Sequence, residues 1–398
     1  MRILSGPWLV RRMHKMQSIC AIEGVKAAGI KEGKFGLALI EAEGTAAAAF
    51  TMNKACAAPI ILMRERMKKG YLTATITNSG CANALTGKQG ISDAMEMAAI
   101  AGEYLGVEPE TVGVASTGVI SRYLNLPLIR DQCSRIAPMM SHGPDAEIAA
   151  ARAIMTTDLI EKHALVERDG FVIGGICKGS GMIAPNMGTM LGYVYTDAEI
   201  NQQDLQDALK SAVRRSFNRV VVDGDTSTND VVFCTATGAA GKVSKGEFAK
   251  ALEECCTILG KHIAKDGEGA TKMIEVVVRN AQTEDDADLI ARTIVGSPLV
   301  KTAVYGEDPN WGRIVAAAGR SGAEIDPEIV SCWISNRKIR AQVCDRGTIS
   351  ADLSQAKAAL SGSEVRIELD LALGNEHATA WGCDLTEKYV EINGKYTT

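Results

Sequence analysis

Apolar and polar residues follow two different periods along the chain, and each period predicts one kind of element. Over 365–373 every second residue is apolar, which predicts a half-buried strand. Over 248–263 apolar residues recur every three or four positions, which predicts an amphipathic helix. Short apolar runs predict further strands at 35–40, 73–77, 171–173 and 193–195. Because strand-like and helix-like segments alternate along the whole chain, we predict an α/β fold.

Capping residues predict where several helices begin. Ser92 is placed to cap one helix, and Asn201 is placed to cap another. Ser244 and Glu247 have the spacing of a capping box, in which two side chains satisfy backbone N–H groups reciprocally. Thr283 opens a fourth helix, whose acidic first turn suits the positive end of the helix dipole.

The composition is that of an ordinary globular protein. Of 398 residues, 46% are hydrophobic and 23% charged, and the formal net charge is -5 at pH 7. No apolar run approaches the roughly 18 residues that a membrane helix requires. No basic face is predicted that would attract nucleic acid. We therefore expect small-molecule substrates or further copies of the chain as partners, with no nucleic acid and no membrane.

Eleven cysteines are spread along the chain without a metal-binding pattern. No C-x-x-C pair occurs and no His lies at zinc-like spacing from a Cys, so we predict no metal site. Scattered cysteines of this kind are typical of a reducing cytoplasm, where we expect the protein. Residues 1–15 are basic and lack the apolar core of a signal peptide. We favour a disordered extension, or a start codon placed too early, over an organelle-targeting segment.

Glycine is concentrated between the strands predicted at 171–173 and 193–195, in the segment GGICKGSGMIAPNMGTMLG. This density predicts tight turns or a close approach of a ligand to the backbone. The chain contains no phosphate loop, dinucleotide fingerprint or G-x-S-x-G elbow, so we predict no cofactor. None of the five histidines lies in these glycine-rich loops, which argues against a Ser-His-Asp triad.

A threonine can act as a nucleophile without histidine when its own α-amino group is the base. That amine has a pKa of about 7.7–8.0, so part of it is unprotonated near neutral pH. An internal threonine acquires the amine only if its hydroxyl attacks the preceding carbonyl and the chain is cut there. A small preceding residue favours the attack, and Gly188-Thr189 meets this requirement. The dipeptide alone is equally compatible with an ordinary turn.

A longer stretch around this dipeptide is similar to a known family. The segment KGSGMIAPNMGTMLGYVYTDA, from Lys178 to Ala198, resembles the self-cleavage signature of the ornithine acetyltransferase (glutamate N-acetyltransferase) family. Other blocks match in the same order, among them GVKAAGIKEGKFGLALI, ITNSGCANALTG, VDGDTSTND and ATAWGCDLTEKYVEINGKYTT. The resemblance covers all of the chain except residues 1–15.

The resemblance implies an N-terminal-nucleophile type of α/β fold, with two intertwined lobes built from mixed sheets and packed by helices. Self-cleavage would give an α chain of residues 16–188 and a β chain of residues 189–398. The two chains would remain together and assemble as an α2β2 heterotetramer. No cofactor is implied.

The resemblance also implies roles for individual residues. Thr189 would be the nucleophile, and Gly188 would lie on the other side of the cut, where the family usually has Ala. Thr117 and Gly118 would form the oxyanion hole. The residues that match the substrate-binding positions, besides Thr189 itself, are Thr156, Lys178, Glu268, Asn393 and Thr398.

The implied reaction is a ping-pong transfer that recycles an acetyl group in arginine biosynthesis. N-acetylornithine would acetylate Thr189, and glutamate would then remove the acetyl group as N-acetylglutamate. Some members of the family also accept acetyl-CoA, and the sequence leaves that open here. Two alternatives are a hydrolase or aminopeptidase with the same nucleophile, and an uncut amino-acid-binding protein.

Overall fold

The computed structural model describes residues 18–184, 190–349 and 353–395. Within those ranges, helices pack against two β-sheets. The strands are β1 (Lys26–Glu32), β2 (Phe35–Phe50), β3 (Tyr71–Cys81), β4 (Val112–Val119), β5 (Lys162–Arg168), β6 (Phe171–Lys178), β7 (Leu191–Glu199), β8 (Val220–Val221), β9 (Val231–Lys242), β10 (Met273–Ala281), β11 (Ser331–Ser335), β12 (Arg340–Cys344), β13 (Glu364–Asp370) and β14 (Glu376–Cys383). The helices are α1 (Ala58–Arg66), α2 (Gly87–Leu105), α3 (Leu126–Ile136), α4 (Pro144–Ile154), α5 (Gln202–Arg215), α6 (Lys245–Lys265), α7 (Glu284–Val295), α8 (Pro298–Tyr305), α9 (Trp311–Gly319), α10 (Leu353–Leu360) and α11 (Glu387–Lys395).

Both sheets contain parallel and antiparallel neighbours. The larger has the order β4-β3-β2-β9-β7-β6-β5, with β1 paired to β2 beside this path. The smaller has the order β12-β11-β13-β10-β14-β8. The parallel pairs are β3 with β4, β7 with β9, β10 with β13, and β14 with β8. Two mixed sheets covered by helices confirm the predicted α/β class.

The strands on the two sides of residues 185–189 are interleaved in the larger sheet. Strands β7 and β9, which follow this segment, lie between β2 and β6, which precede it. Backbone hydrogen bonds therefore join the earlier and later parts of the chain along both edges of this central pair. A break in the chain within residues 185–189 would leave these hydrogen bonds intact.

Hydrophobic cores cover both faces of the larger sheet. Tyr193 and Tyr195 of β7 point into one core, which also contains apolar residues of α1 to α4. Val194 points the opposite way, into a core shared with α5 and α6. This reversal at successive residues is the normal pleat of a strand. Helix α6 also packs on Trp381 of β14, a strand of the smaller sheet. The helix therefore contacts both sheets. No helix among the described residues is long and apolar enough to cross a bilayer.

The helix starts predicted from capping residues are partly confirmed. The Asn201 side chain accepts a hydrogen bond from the backbone of Asp204 at 3.0 Å, at the start of α5. The Thr283 hydroxyl accepts one from the backbone of Asp286 at 3.1 Å, at the start of α7. Both side chains satisfy N–H groups that have no partner inside the helix.

Two capping predictions are wrong. Helix α2 begins at Gly87, five positions before Ser92. Its first turn, GKQG, contains no apolar side chain from which a helical pattern could be recognised. Ser244 does precede α6, but its side chain makes no capping hydrogen bond. Glu247 instead pairs with Lys250 at 2.9 Å, so the predicted capping box is absent from this helix start.

Candidate active site

A pocket of about 220 Å³ lies where β4 and β6 end and where the loop before β9 ends. Side chains and backbone from seven separate segments form its wall. The lining includes all six predicted site residues that lie within the described ranges: Thr117, Gly118, Thr156, Lys178, Glu268 and Asn393. The other predicted site residues, Gly188, Thr189 and Thr398, lie outside the described residues.

The end of β4 requires glycine at position 118. Gly118 has a φ of 128°, which side chains rarely tolerate. A Cβ atom there would lie 2.4 Å from the backbone carbon of Gly80 on β3. The ladder is irregular at this point, since Cys81 pairs with both Thr117 and Val119. The bulge ends regular pairing next to Thr117, which is buried at the pocket wall.

Asn229 fixes the loop before β9 against this strand end. Its side-chain nitrogen donates to the carbonyl of Ala82 at 2.6 Å and to that of Ser116 at 2.9 Å. The side chain is buried, so both hydrogen bonds are protected from water. Asn229 thus connects β3, β4 and β9 at the pocket. The sequence pattern gave no role to this residue, because its partners are backbone groups more than a hundred positions away.

Lys178 places a buried cation at the bottom of the pocket. The side chain is 2% exposed, and its Nζ lies 3.4 Å from the Thr117 hydroxyl. Within the described ranges, no carboxylate lies within 4.0 Å of this nitrogen. Burial lowers the pKa of Lys178, because a charged ammonium loses its hydration there, although Asp158 acts in the opposite direction. A negative ligand group beside Nζ would favour the charged form.

A buried cluster of charged side chains lies next to Lys178. Lys162 contacts Asp158 at 2.7 Å and Asp266 at 2.6 Å, and all three side chains are almost completely buried. Asp158 also accepts the backbone N–H of Gly179 at 2.6 Å, directly after Lys178. Burial alone would raise the pKa of Asp158, but the charges of Lys178 and Lys162 lower it to about 2. The cluster was missed in the sequence because its members belong to different elements.

Glu268 supplies the opposite charge on another wall of the pocket. Its backbone N–H donates to the carbonyl of Ser180 at 2.9 Å, and its side chain accepts from Asn393 of α11 at 2.7 Å. The carboxylate approaches the chain at Gly181, where a Cβ atom would lie 2.4 Å from Glu268 Cδ. Glycine at 181 is therefore what allows the carboxylate to take this position.

The arrangement suits a small zwitterionic ligand. Lys178 can bind a carboxylate, Glu268 can bind an ammonium group, and hydroxyls of Thr117 and Thr156 supply hydrogen bonds between them. Thr157 also reaches the pocket, but its hydroxyl already contacts that of Ser180 at 2.7 Å. Among the residues that the structure describes, no group of three or more His, Cys, Asp or Glu side chains could hold a metal ion.

An α/β fold of two mixed sheets and a pocket of this size and charge define a protein that binds small amino-acid-like molecules. Comparison with known proteins identifies the family. The family model named ArgJ matches residues 22–398. The chain therefore belongs to the ArgJ family.

Individual relatives are similar over nearly their whole length. The glutamate N-acetyltransferase of Methanosarcina mazei is 52% identical over 388 residues, which are 96% of this chain and 98% of the relative. The arginine biosynthesis bifunctional protein ArgJ of Symbiobacterium thermophilum is 47% identical over 380 residues, 92% of this chain and 93% of its own. A crystal structure of ArgJ from Bacillus halodurans is 43% identical and covers 50% of this chain and 96% of its own, with a TM-score of 0.48.

Proposed function

We propose that the protein is a glutamate N-acetyltransferase of arginine biosynthesis that takes its acetyl group from N-acetylornithine. Membership of the ArgJ family and the names of the relatives support this assignment. The observation that carries it is the pocket in which Lys178 and Glu268 present opposite charges to one small cavity. Ornithine and glutamate both carry an α-carboxylate for Lys178. The side-chain ammonium of ornithine is the partner for Glu268.

Thr189 is the proposed nucleophile, generated by self-cleavage after Gly188. The Thr189 hydroxyl attacks the carbonyl carbon of Gly188, the C–N bond breaks, and the nitrogen gains the hydroxyl proton. Water then cleaves the resulting ester, which restores the hydroxyl and leaves a free α-amine on Thr189. Met190, the next residue, has its backbone N–H 2.9 Å from Asp230, immediately after the pocket-lining residues 227–229. This position supports a role for Thr189 at the pocket.

Transfer then occurs in two balanced steps. The Thr189 hydroxyl attacks the acetyl carbon of N-acetylornithine, its proton passes through the α-amine to the departing nitrogen, and ornithine leaves. The α-amine of glutamate attacks the acetyl ester, and the Thr189 oxygen regains a proton. Each tetrahedral intermediate carries a negative oxygen, for which the Thr117 hydroxyl and the Gly118 N–H are the proposed donors.

The cut fragments are proposed to remain together as one folded unit, as the interleaving of β2, β9, β7 and β6 supports. An α chain of residues 16–188 and a β chain of residues 189–398 would share the larger sheet. Assembly as an α2β2 heterotetramer and a cytoplasmic location complete the proposal. Thr398 is the proposed sixth substrate-binding residue, and Asn393 brings the adjoining helix α11 to the pocket.

Product analysis tests the assigned reaction. The purified protein, incubated with N-acetylornithine and glutamate, is expected to form ornithine and N-acetylglutamate in equal amounts. Acetate without N-acetylglutamate would instead identify a hydrolase, and neither product from an intact chain would indicate a binding protein. A parallel incubation with acetyl-CoA and glutamate shows whether this chain is bifunctional, as the Symbiobacterium relative is named.

Gly181→Ala tests the assignment of Glu268. The new Cβ would overlap the Glu268 carboxylate, which is the movable partner, so the carboxylate is displaced while the fold is kept. A hydrogen bond to a charged group contributes about 1.5–3 kcal/mol, so KM for N-acetylornithine is expected to rise about tenfold or more.

The matched control for that variant is Gly246→Ala in the first turn of α6, where the nearest neighbour of a new Cβ atom, the Ser244 hydroxyl, is 4.0 Å away. Its KM is expected to equal that of the unchanged protein. Steady-state kinetics with varied N-acetylornithine measures both variants. An unchanged KM for Gly181→Ala would show that Glu268 does not bind N-acetylornithine.

A further inference from the structure

Two segments of the pocket wall are joined by one carboxylate that lies outside the wall itself. Asp158 belongs to the loop between α4 and β5, and its side chain is completely buried. Its Oδ2 accepts the backbone N–H of Thr156 at 3.1 Å, and its Oδ1 accepts that of Gly179 at 2.6 Å. Thr156 lines the pocket, and Gly179 directly follows Lys178, which also lines it. The carboxylate therefore connects the backbone at two of the predicted substrate-binding residues.

A second contact joins the same two segments. The hydroxyl of Thr157 lies 2.7 Å from that of Ser180, whose side chain is buried. The loop after α4 is thus attached to the chain after β6 at two successive residues, through Asp158 at position 156 and through Ser180 at position 157. Of these two attachments, the one made by Asp158 acts directly on Thr156.

The charges around Asp158 explain how Lys178 can remain buried. Asp158 and Asp266 carry two negative charges, whereas Lys162 between them carries one positive charge. Burial alone would raise the pKa of Asp158, and the charge of Lys178 is the strongest of the effects that lower it to about 2. Burial lowers the pKa of Lys178, and the charge of Asp158 is the strongest of the effects that oppose this. Each of these two side chains therefore favours the charged form of the other.

We propose that Asp158 is a positioning residue for the substrate carboxylate, holding Thr156 and Lys178 where they bind it. This inference rests on the proposed function, which identifies that carboxylate as the one shared by N-acetylornithine and glutamate. Binding groups that are already in place lose less conformational freedom when the ligand arrives, so Asp158 increases the affinity for substrate. The carboxylate is bound alike before and during acetyl transfer, so the contribution of Asp158 is to KM and not to kcat.

Asp158→Asn removes one backbone contact and the negative charge without a change of size. Asparagine has a single acceptor oxygen, so it can accept the N–H of Gly179 or that of Thr156, while its NH₂ group opposes the other. A hydrogen bond to a charged group contributes about 1.5–3 kcal/mol, so KM for N-acetylornithine and KM for glutamate are both expected to rise about tenfold or more. The value of kcat is expected to stay nearly the same.

Asp266→Asn is the matched control, because Asp266 is the other carboxylate of the same cluster. It contacts the same ammonium group of Lys162 at 2.6 Å, and it accepts the backbone N–H of Leu159 at 3.1 Å, a residue outside the pocket wall. Both variants remove one buried negative charge, so both are expected to lower the midpoint of thermal unfolding by similar amounts. Only Asp158→Asn is expected to raise KM.

The kinetic measurements separate two kinds of failure. An unchanged protein that transfers no acetyl group would refute the proposed function, and the assigned carboxylate with it. An active unchanged protein whose KM values equal those of Asp158→Asn would refute only the role of Asp158. Equal rises of KM in Asp158→Asn and Asp266→Asn, or a fall in kcat alone, would also refute that role.

A second variant covers the case in which Asp158→Asn does not fold. Asp158→Glu keeps the negative charge that pairs with Lys162, but its additional methylene group displaces the carboxylate from both backbone N–H groups. The same rise of KM with nearly the same kcat is expected, and an unchanged KM would refute the role of Asp158.

Discussion

The Thr189→Ala variant is expected to remain a single uncut chain and to show no detectable acetyl transfer. Alanine has no hydroxyl to attack the Gly188 carbonyl, so neither the ester nor the free α-amine forms. The same hydroxyl carries the acetyl group in the proposed mechanism, so no second route to N-acetylglutamate exists in this pocket. A denaturing gel and an assay for N-acetylglutamate measure the two effects independently.

Thr189→Ser is the control for that variant. Serine keeps the hydroxyl and loses only a methyl group, so cleavage and transfer are both expected to persist at reduced rates. Two fragments from Thr189→Ala would exclude self-cleavage by this hydroxyl. A single chain with normal transfer activity would show instead that cleavage is not needed for catalysis.

Lys178→Met is expected to abolish most activity while lowering stability much less than Lys162→Met does. The methionine side chain fills nearly the same volume without a charge, and Lys178 has no carboxylate within 4.0 Å among the described residues. Removing this buried charge relieves the cost of its burial, which offsets the loss of its attraction to Asp158. The lost contact to the substrate carboxylate contributes about 1.5–3 kcal/mol, so kcat/KM is expected to fall about tenfold to more than a hundredfold.

Lys162→Met provides the contrasting control. Lys162 is also a buried lysine, but it contacts Asp158 at 2.7 Å and Asp266 at 2.6 Å. Its loss leaves two buried carboxylates without their cation, which is expected to lower the free energy of unfolding by about 3–5 kcal/mol. Chemical denaturation and kinetics on both variants test the contrast. A destabilised Lys178→Met with unchanged kcat/KM would show that Lys178 is structural.

The fold class was predictable because hydrophobic periodicity is local. The exact extent of the strands was not, and β2 illustrates the reason. The pattern predicts a strand over 35–40, whereas β2 spans Phe35–Phe50. Its second half is rich in alanine, which favours strands poorly, but it pairs with β9 nearly two hundred residues later. Pairing at that distance overrides the local preference, and no local pattern reveals it.

The candidate site was predictable only through the resemblance to a family. Lys178 and Glu268 carry no distinguishing local pattern, yet the fold brings both to one pocket. The supporting residues were missed for a physical reason. Asp158 and Asp230 act through contacts to Lys162 and to the Met190 backbone, which exist only after folding. Charged residues in loops are usually exposed, so no sequence pattern indicates the burial of these two.

The central claim is that Thr189 is first released by cleavage and then carries the acetyl group. Intact mass spectrometry of the purified protein, before and after addition of N-acetylornithine, tests it most directly. We predict two fragments divided between Gly188 and Thr189, with one acetyl group added to the fragment that begins at Thr189 and removed again by glutamate. A single uncut mass, or an acetyl group on the other fragment, would contradict the mechanism.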